Sequence, residues 1–285
     1  MLIELVHATT RDGIRLDGSF QALPVATASA FPYDAVCLVH GTGGNFYGST
    51  LFDELASRVI EWGCAVLRIN TRGHDGISTG ATAHGGRRLG AACEVVDDCR
   101  HDLAAWVDWL KQRSGPRIGL IGHSLGAVKC LYALAHEPAL CVKGIVAISP
   151  PRLSYSWFCT SPEGPPFLET YGNAQRQVEA GNPGALIEVK LPLAIAITAA
   201  GYVEKYGPDE RYNFLHFARS VPCPTLITFG GVEVENNMAF RGAPEAARAL
   251  DRAGRIAVET IAGADHFYSG VRGDLIGRIE AWLSR

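Results

Sequence analysis

Three side-chain types in this sequence could together turn a hydroxyl into a nucleophile: a serine, a histidine and a carboxylate. Ser124 is the centre of Gly122-His123-Ser124-Leu125-Gly126. A serine hydroxyl attacks poorly until a base takes its proton. His266, at the end of Gly263-Ala264-Asp265-His266, is the candidate base. A carboxylate on the far imidazole nitrogen would fix the tautomer and stabilise the imidazolium. Glu233 and Glu235 follow Gly230-Gly231 and offer that carboxylate.

The elements that must position these groups are legible from hydrophobic patterning. An apolar run, Arg117 to Ile121, precedes the serine motif, and Val128, Leu131, Tyr132 and Ala135 follow it at helical spacing. In a strand–G-x-S-x-G–helix turn the two backbone segments nearly touch, so small residues are needed two positions to either side of the serine. Further short apolar runs at 35–39, 65–69, 144–148, 224–229 and 256–261 read as buried strands. Helical stripes lie between them: Leu51, Leu55 and Val59; Leu103, Trp106, Val107 and Leu110; residues 244–253; and Leu275, Ile276, Ile279, Trp282 and Leu283. Such alternation predicts an α/β fold, a mostly parallel central sheet flanked by helices on both faces. Residues 2–9 and 14–20 read as a hairpin around Arg11-Asp12-Gly13, with 21–33 and 75–92 as loops. The rhythm breaks over 152–220, which is rich in aromatics and carries helical regions near 167–190 and 196–219. It reads as a helical lid inserted into a core formed by 1–151 and 221–285. Ligands of open α/β sheets bind beyond the carboxyl ends of the strands. Ser124, Glu233, His266 and the run His40-Gly41-Thr42-Gly43 all follow such ends.

Composition narrows the function classes. The 285 residues, 47% hydrophobic with a formal charge of -3, suit a globular chain without a basic surface, which argues against nucleic acid. The eight cysteines form no C-x-x-C pair and read as core thiols of a reducing compartment. The spacing of Cys93, Cys99 and His101 fits no common zinc pattern, so no metal is expected. Glu4 and Arg11 interrupt the N-terminus, so no signal peptide is expected, and the longest apolar stretch, Leu191 to Tyr202, falls short of the roughly 20 residues of a membrane span. A cytoplasmic protein acting on a small molecule is the expectation; oligomeric state leaves no mark.

With its H-G turn, G-x-S-x-G elbow, G-x-x-acid turn and G-x-D-H turn in that order, the sequence resembles the α/β-hydrolase superfamily. The resemblance implies an acyl-serine mechanism, with Ser124 as nucleophile, His266 as base and no cofactor. Family members most often carry Asp where Glu233 stands, and some use Glu, so motif position favours Glu233 over Glu235. Asp265 reads as a turn residue. The resemblance implies oxyanion donors at the N–H of Leu125 and of Thr42, with Gly43 the second choice. His40 is expected to brace that loop and border the substrate. Asn45 is expected at the pocket mouth, with Trp157 and Phe158 among the aromatics facing an apolar substrate group. His123 is read as lying on the opposite side of the turn from the nucleophile. The resulting expectation is a serine hydrolase cleaving a carboxylic ester through a Ser-His-Glu triad. Thioester, amide or diketone carbon–carbon cleavage on the same residues is the alternative, and a non-catalytic receptor on a hydrolase fold is a reading from another class.

Overall fold

The computed structural model describes residues 2–23, 31–83, 85–251 and 254–284; part of the 21–33 loop, residues 24–30, lies outside them. The chain opens with β1 (Glu4–Thr9) and β2 (Arg15–Gln21), then β3 (Ala35–Val39), α1 (Thr50–Glu61) and β4 (Ala65–Ile69). After β5 (Ser78–Thr82) and β6 (Gly85–Leu89) come α2 (Cys99–Ser114), β7 (Ile118–His123), α3 (Leu125–His136) and β8 (Gly144–Ile148). The next segment contains α4 (Tyr155–Thr160), α5 (Gly164–Glu179), β9 (Leu186–Val189), β10 (Ile195–Thr198), α6 (Ala199–Tyr206) and α7 (Phe214–Phe217). The chain ends through β11 (Thr225–Gly230), α8 (Gly231–Asn236), α9 (Ala243–Arg248), β12 (Ile256–Ile261) and α10 (Arg272–Leu283).

Eight strands form one sheet in the order β1-β2-β4-β3-β7-β8-β11-β12. The β1–β2 and β2–β4 pairs are antiparallel and all the others parallel. Strand residues alternate between two hydrophobic layers, as the two-residue strand period requires. Ala35, Cys37 and Val39 join α2 and α3 on one face, whereas Val36 and Leu38 join α1 and α10 on the other. The chain runs from β3 outward to β4 and then back past β3 to β7, so the sheet order reverses between these two neighbours. That reversal opens a crevice at their carboxyl ends.

Two stretches depart from the patterning. Residues 75–92 hold an antiparallel hairpin, Ser78↔Leu89 to Thr82↔Gly85. β6 is exposed except at Leu89, so backbone pairing holds the hairpin and no apolar period announces it. Within 152–220, the hairpin β9–β10 replaces the predicted meeting of two helices. Pro183 cannot continue a helix, which ends α5 at Glu179, and Ile187, Val189, Ile195 and Ile197 then supply the β-branched residues a hairpin uses. Near the C-terminus α9 stops at Arg248, short of the predicted 253; residues 252–253 lie outside the described ones. The aromatics of 152–220 pack together and onto α3: Phe158 on Phe167 at 5.2 Å, Tyr202 on Tyr206 at 4.8 Å and Tyr132 on Tyr212 at 5.2 Å between ring centroids. Among the described residues no helix is long and apolar enough to cross a membrane. All eight cysteines are free thiols, five of them buried.

Candidate active site

Sheet register places the first two loops of the site side by side. Val39 pairs with Gly122, so His40-Gly41 and His123-Ser124 leave the sheet together. The approach is tight enough to dictate glycine. A Cβ on Gly126 would sit 2.1 Å from the Val39 carbonyl oxygen, and one on Gly122 would sit 2.4 Å from that of Gly126. A Cβ on Gly41 would lie 2.7 Å from that of Ser124. Ser124 itself holds φ 58° and ψ -128°, a conformation that costs a non-glycine residue about 1–3 kcal/mol. Its N–H donates to the Ile148 carbonyl at 2.8 Å, which ties the turn to β8. Leu125 opens α3, so its N–H has no acceptor within the helix.

Across the sheet, Glu233 lies in the first turn of α8, directly after β11. Its Oε1 accepts the Gly230 N–H at 2.7 Å and the Ser149 hydroxyl, and its Oε2 meets His266 Nδ1 at 2.6 Å. The longer Glu side chain suits this place: it reaches back to the N–H before its own helix and still leaves an oxygen for the imidazole. Glu235 is solvent-exposed. Asp265 Oδ1 accepts the N–H groups of Phe267 and Ser269, both at 2.9 Å, the turn role its position predicts. With Nδ1 bonded to Glu233, His266 has Nε2 left for proton exchange with a hydroxyl. Ser124 and His266 line one cleft of about 540 Å³.

That cleft lies at the reversal between β3 and β7. Its walls include Thr42, Gly43 and Asn45 from the β3–α1 connection, Thr50 from α1, and Phe267, Ser269 and Arg272 from the last loop and α10. His40 also borders it. His40 Nδ1 bonds the Gly41 carbonyl at 2.7 Å, while its Nε2 accepts the Thr71 N–H at 3.0 Å. Burial, with the Lys129 charge nearby, lowers the His40 pKa to about 3, so the ring is neutral and Nδ1 carries the proton. Asn45 Oδ1 accepts the N–H groups of Tyr47 and Gly48 at 3.1 and 2.6 Å, and its amide donates to Asp75 at 2.7 Å. Trp157 and Phe158 are not among the residues lining this cleft. Phe158 is fully buried with Phe167, and Trp157 donates to the Met238 carbonyl at 2.9 Å with Arg152 stacked over its ring. From 152–220 only Leu193 reaches the cleft, among the described residues.

Three further residues complete the setting: His123, read from the sequence as lying across the turn from the nucleophile, and Ser149 and Tyr268, which the patterning passed over. His123 lies beside His266, not away from it: the rings are 4.7 Å apart, and Nε2 donates to the His266 carbonyl at 2.7 Å. Burial and the neighbouring His266 lower the His123 pKa to about 3, so it stays neutral. Ser149, at φ 48°, directly follows β8 and donates its hydroxyl to Glu233. Tyr268 in turn contacts the hydroxyls of Ser149 at 2.9 Å and Thr228 at 3.1 Å. A buried serine at a strand end was the one available signal, and it is a weak one.

The comparisons with known proteins agree with this architecture. A model of the alpha/beta hydrolase family matches residues 38–272. The chain therefore belongs to the alpha/beta hydrolase family. It is similar to the solved structure of the alpha/beta hydrolase GrgF from Penicillium sp. sh18 (16% identity, 100% of this chain and 99% of that one, TM-score 0.70). It is likewise similar to Est1E from Butyrivibrio proteoclasticus, solved with ferulic acid (16% identity, 97% of each chain, TM-score 0.64), and to a Pyrococcus furiosus esterase (19% identity, 100% and 91%, TM-score 0.61). No curated protein matches the sequence.

Proposed function

We propose that this chain is a serine hydrolase that cleaves a carboxylic ester of a small molecule, with Ser124 as nucleophile, His266 as general base and acid, and Glu233 as the orienting acid. The contact between Glu233 Oε2 and His266 Nδ1, with His266 and Ser124 in one cleft, carries this reading. Nε2 of His266 takes the Ser124 proton as Oγ attacks the ester carbonyl. The negative charge that develops on the carbonyl oxygen is met by the N–H groups of Leu125 and Thr42. The imidazolium then protonates the leaving alkoxide, and a water activated by the same nitrogen releases the acid from the acyl-serine. Support for Thr42 comes from peptide geometry. The C=O and N–H of a trans peptide point in opposite directions, so holding the Gly41 carbonyl on the His40 ring turns the Thr42 N–H away from it. Within this reading residues 1–151 and 221–285 form the hydrolase core and 152–220 its cap. The eight free thiols suit a reducing compartment, from which we infer a cytoplasmic setting.

The test is labelling with a fluorophosphonate probe, followed by intact mass, beside Ser124→Ala and with a series of aryl esters. A single adduct that disappears in Ser124→Ala, together with ester turnover, is expected. A well-folded protein that takes no label would overturn the mechanism.

A further inference from the structure

Behind the Gly41–Thr42 peptide runs a chain of buried polar groups drawn from five separate parts of the fold. His40, after β3, holds the Gly41 carbonyl. Thr71, after β4, contacts His40 Nε2 through its N–H at 3.0 Å and its Oγ1 at 3.2 Å. Lys129, on the helix that Ser124 opens, donates from Nζ to Thr71 Oγ1 at 3.0 Å. Glu94, ahead of α2, forms an ion pair with Lys129 and sits 3.8 Å from the Nζ of Lys205 on α6. The Lys129 side chain is 0% exposed, and those of Glu94 and Lys205 are each 1% exposed. An ammonium inside a hydrophobic helix stripe costs several kcal/mol in desolvation, and replacing such a pair with apolar residues is often neutral or stabilising. Stability alone therefore does not account for Lys129.

The hydrogen bonds along this chain have a fixed sense. An ammonium only donates, so Thr71 Oγ1 accepts from Lys129 and its own hydrogen is free for the His40 Nε2 lone pair. Nε2 accepts from this hydroxyl as well as from the Thr71 N–H, so the ring proton stands on Nδ1, Nδ1–H donates to Gly41, and Lys129 adds a second hold on the ring. We propose that Lys129, through Thr71 and His40, is a positioning group for the Thr42 N–H, with Glu94 as its counter-ion. This rests on the reading of Thr42 as an oxyanion donor. The Gly41 carbonyl also accepts the Gly44 N–H at 3.1 Å, so loss of the chain loosens the Gly41–Thr42 peptide without releasing it, which weakens binding of the transition state and leaves ground-state binding of the ester nearly unchanged.

The experiment measures kcat and KM of Thr71→Val, Thr71→Ser and the double variant Lys129→Met/Glu94→Gln on an aryl ester, with folding checked by circular dichroism. The double variant removes both charges of the pair and is made on a Lys205→Met background, with Lys205→Met alone as its reference, so that no buried ammonium is left without Glu94. Expected for Thr71→Val and for the double variant is a fall in kcat of about 10- to 100-fold, less than the roughly 10²–10³-fold cost of removing an oxyanion donor outright, with KM within about twofold. Thr71→Ser keeps the hydroxyl and should restore turnover. Wild-type kcat in folded Thr71→Val, and the kcat of its reference in the double variant, would overturn the proposal. So would a loss that Thr71→Ser does not restore, since that marks packing. Ester turnover that persists in Ser124→Ala would instead remove the catalytic reading beneath it, a separate and distinguishable failure.

Discussion

The two sides of the cleft are braced by different chemistry. On the His266 side, Glu233 is the carboxylate bonded to the ring, and its supports are neutral: the Gly230 N–H, the Ser149 hydroxyl and, one layer back, Tyr268 and Thr228. On the Thr42 side the brace ends in buried charges, Lys129 with Glu94 and Lys205 beyond. In the proposed mechanism Glu233 stabilises an imidazolium, and a carboxylate with that task does best without a competing cation, which would lower its pull on the ring. A peptide proposed to stay still has no charge to disturb, and a fixed ammonium can set the direction of the Thr71 hydroxyl bond that backs it. The difference follows from what each side has to hold.

Substitutions on the His266 side test this contrast, and the largest effect belongs to Glu233. Glu233→Gln keeps size and shape but presents an amide N–H toward Nδ1 or loses the charge opposite it. kcat should fall on the order of 10³–10⁴, by analogy with the orienting acid of serine proteases, while Glu235→Gln should leave it unchanged. Steady-state kinetics on the same ester checks both, and the reverse ranking would transfer the role to Glu235. Ser149→Ala comes next. It removes one of two bonds to Oε1 and leaves the Gly230 N–H in place, so kcat should drop about tenfold, near the value of one hydrogen bond to a charged group. A drop as large as that of Glu233→Gln would show that the hydroxyl, not the backbone, holds the acid.

The smallest expected effect is on stability. Below pH 6.5, the ordinary histidine value, an unfolded chain binds a proton at His123 that the folded chain refuses until about pH 3. The stability this neutral ring contributes is therefore complete above pH 6.5 and is lost as pH falls toward 3. His123→Gln retains a donor for the His266 carbonyl and removes the titration. Urea unfolding of the variant between pH 6 and 4 should show a slope against pH shallower by about 1.4 kcal/mol per unit. An unaltered slope would mean that the buried ring is not what makes the fold acid-sensitive.

Much of this was legible because it is local. Ser124 with its two glycines, the Gly230–Glu233 turn and the Asp265 turn each sit within a few consecutive residues, and the order of apolar runs carried the parallel sheet. What escaped depends on residues far apart in the chain. Lys129 reads as one polar residue in an apolar stripe until Thr71 and Glu94 are seen to converge on it. The proximity of His123 to His266 spans 143 positions and is set by sheet order. Trp157 and Phe158 could not be placed from sequence, because an aromatic facing a substrate and one packed in its own domain share the same letter.

The position of Leu193 bears on how the molecule could be rebuilt. With that one residue touching the cleft, the 152–220 segment contributes little to the pocket surface, and the two walls belong to loops of the central sheet. Exchanging the segment for another would change the entrance more than the chemistry. The graft would still inherit one obligation: Lys205 is buried against Glu94 with no hydrogen-bond partner for its Nζ among the described residues. A replacement helix carrying a methionine there would shed a desolvated charge while leaving Glu94 wholly to Lys129, and α6 marks where such a splice has to match.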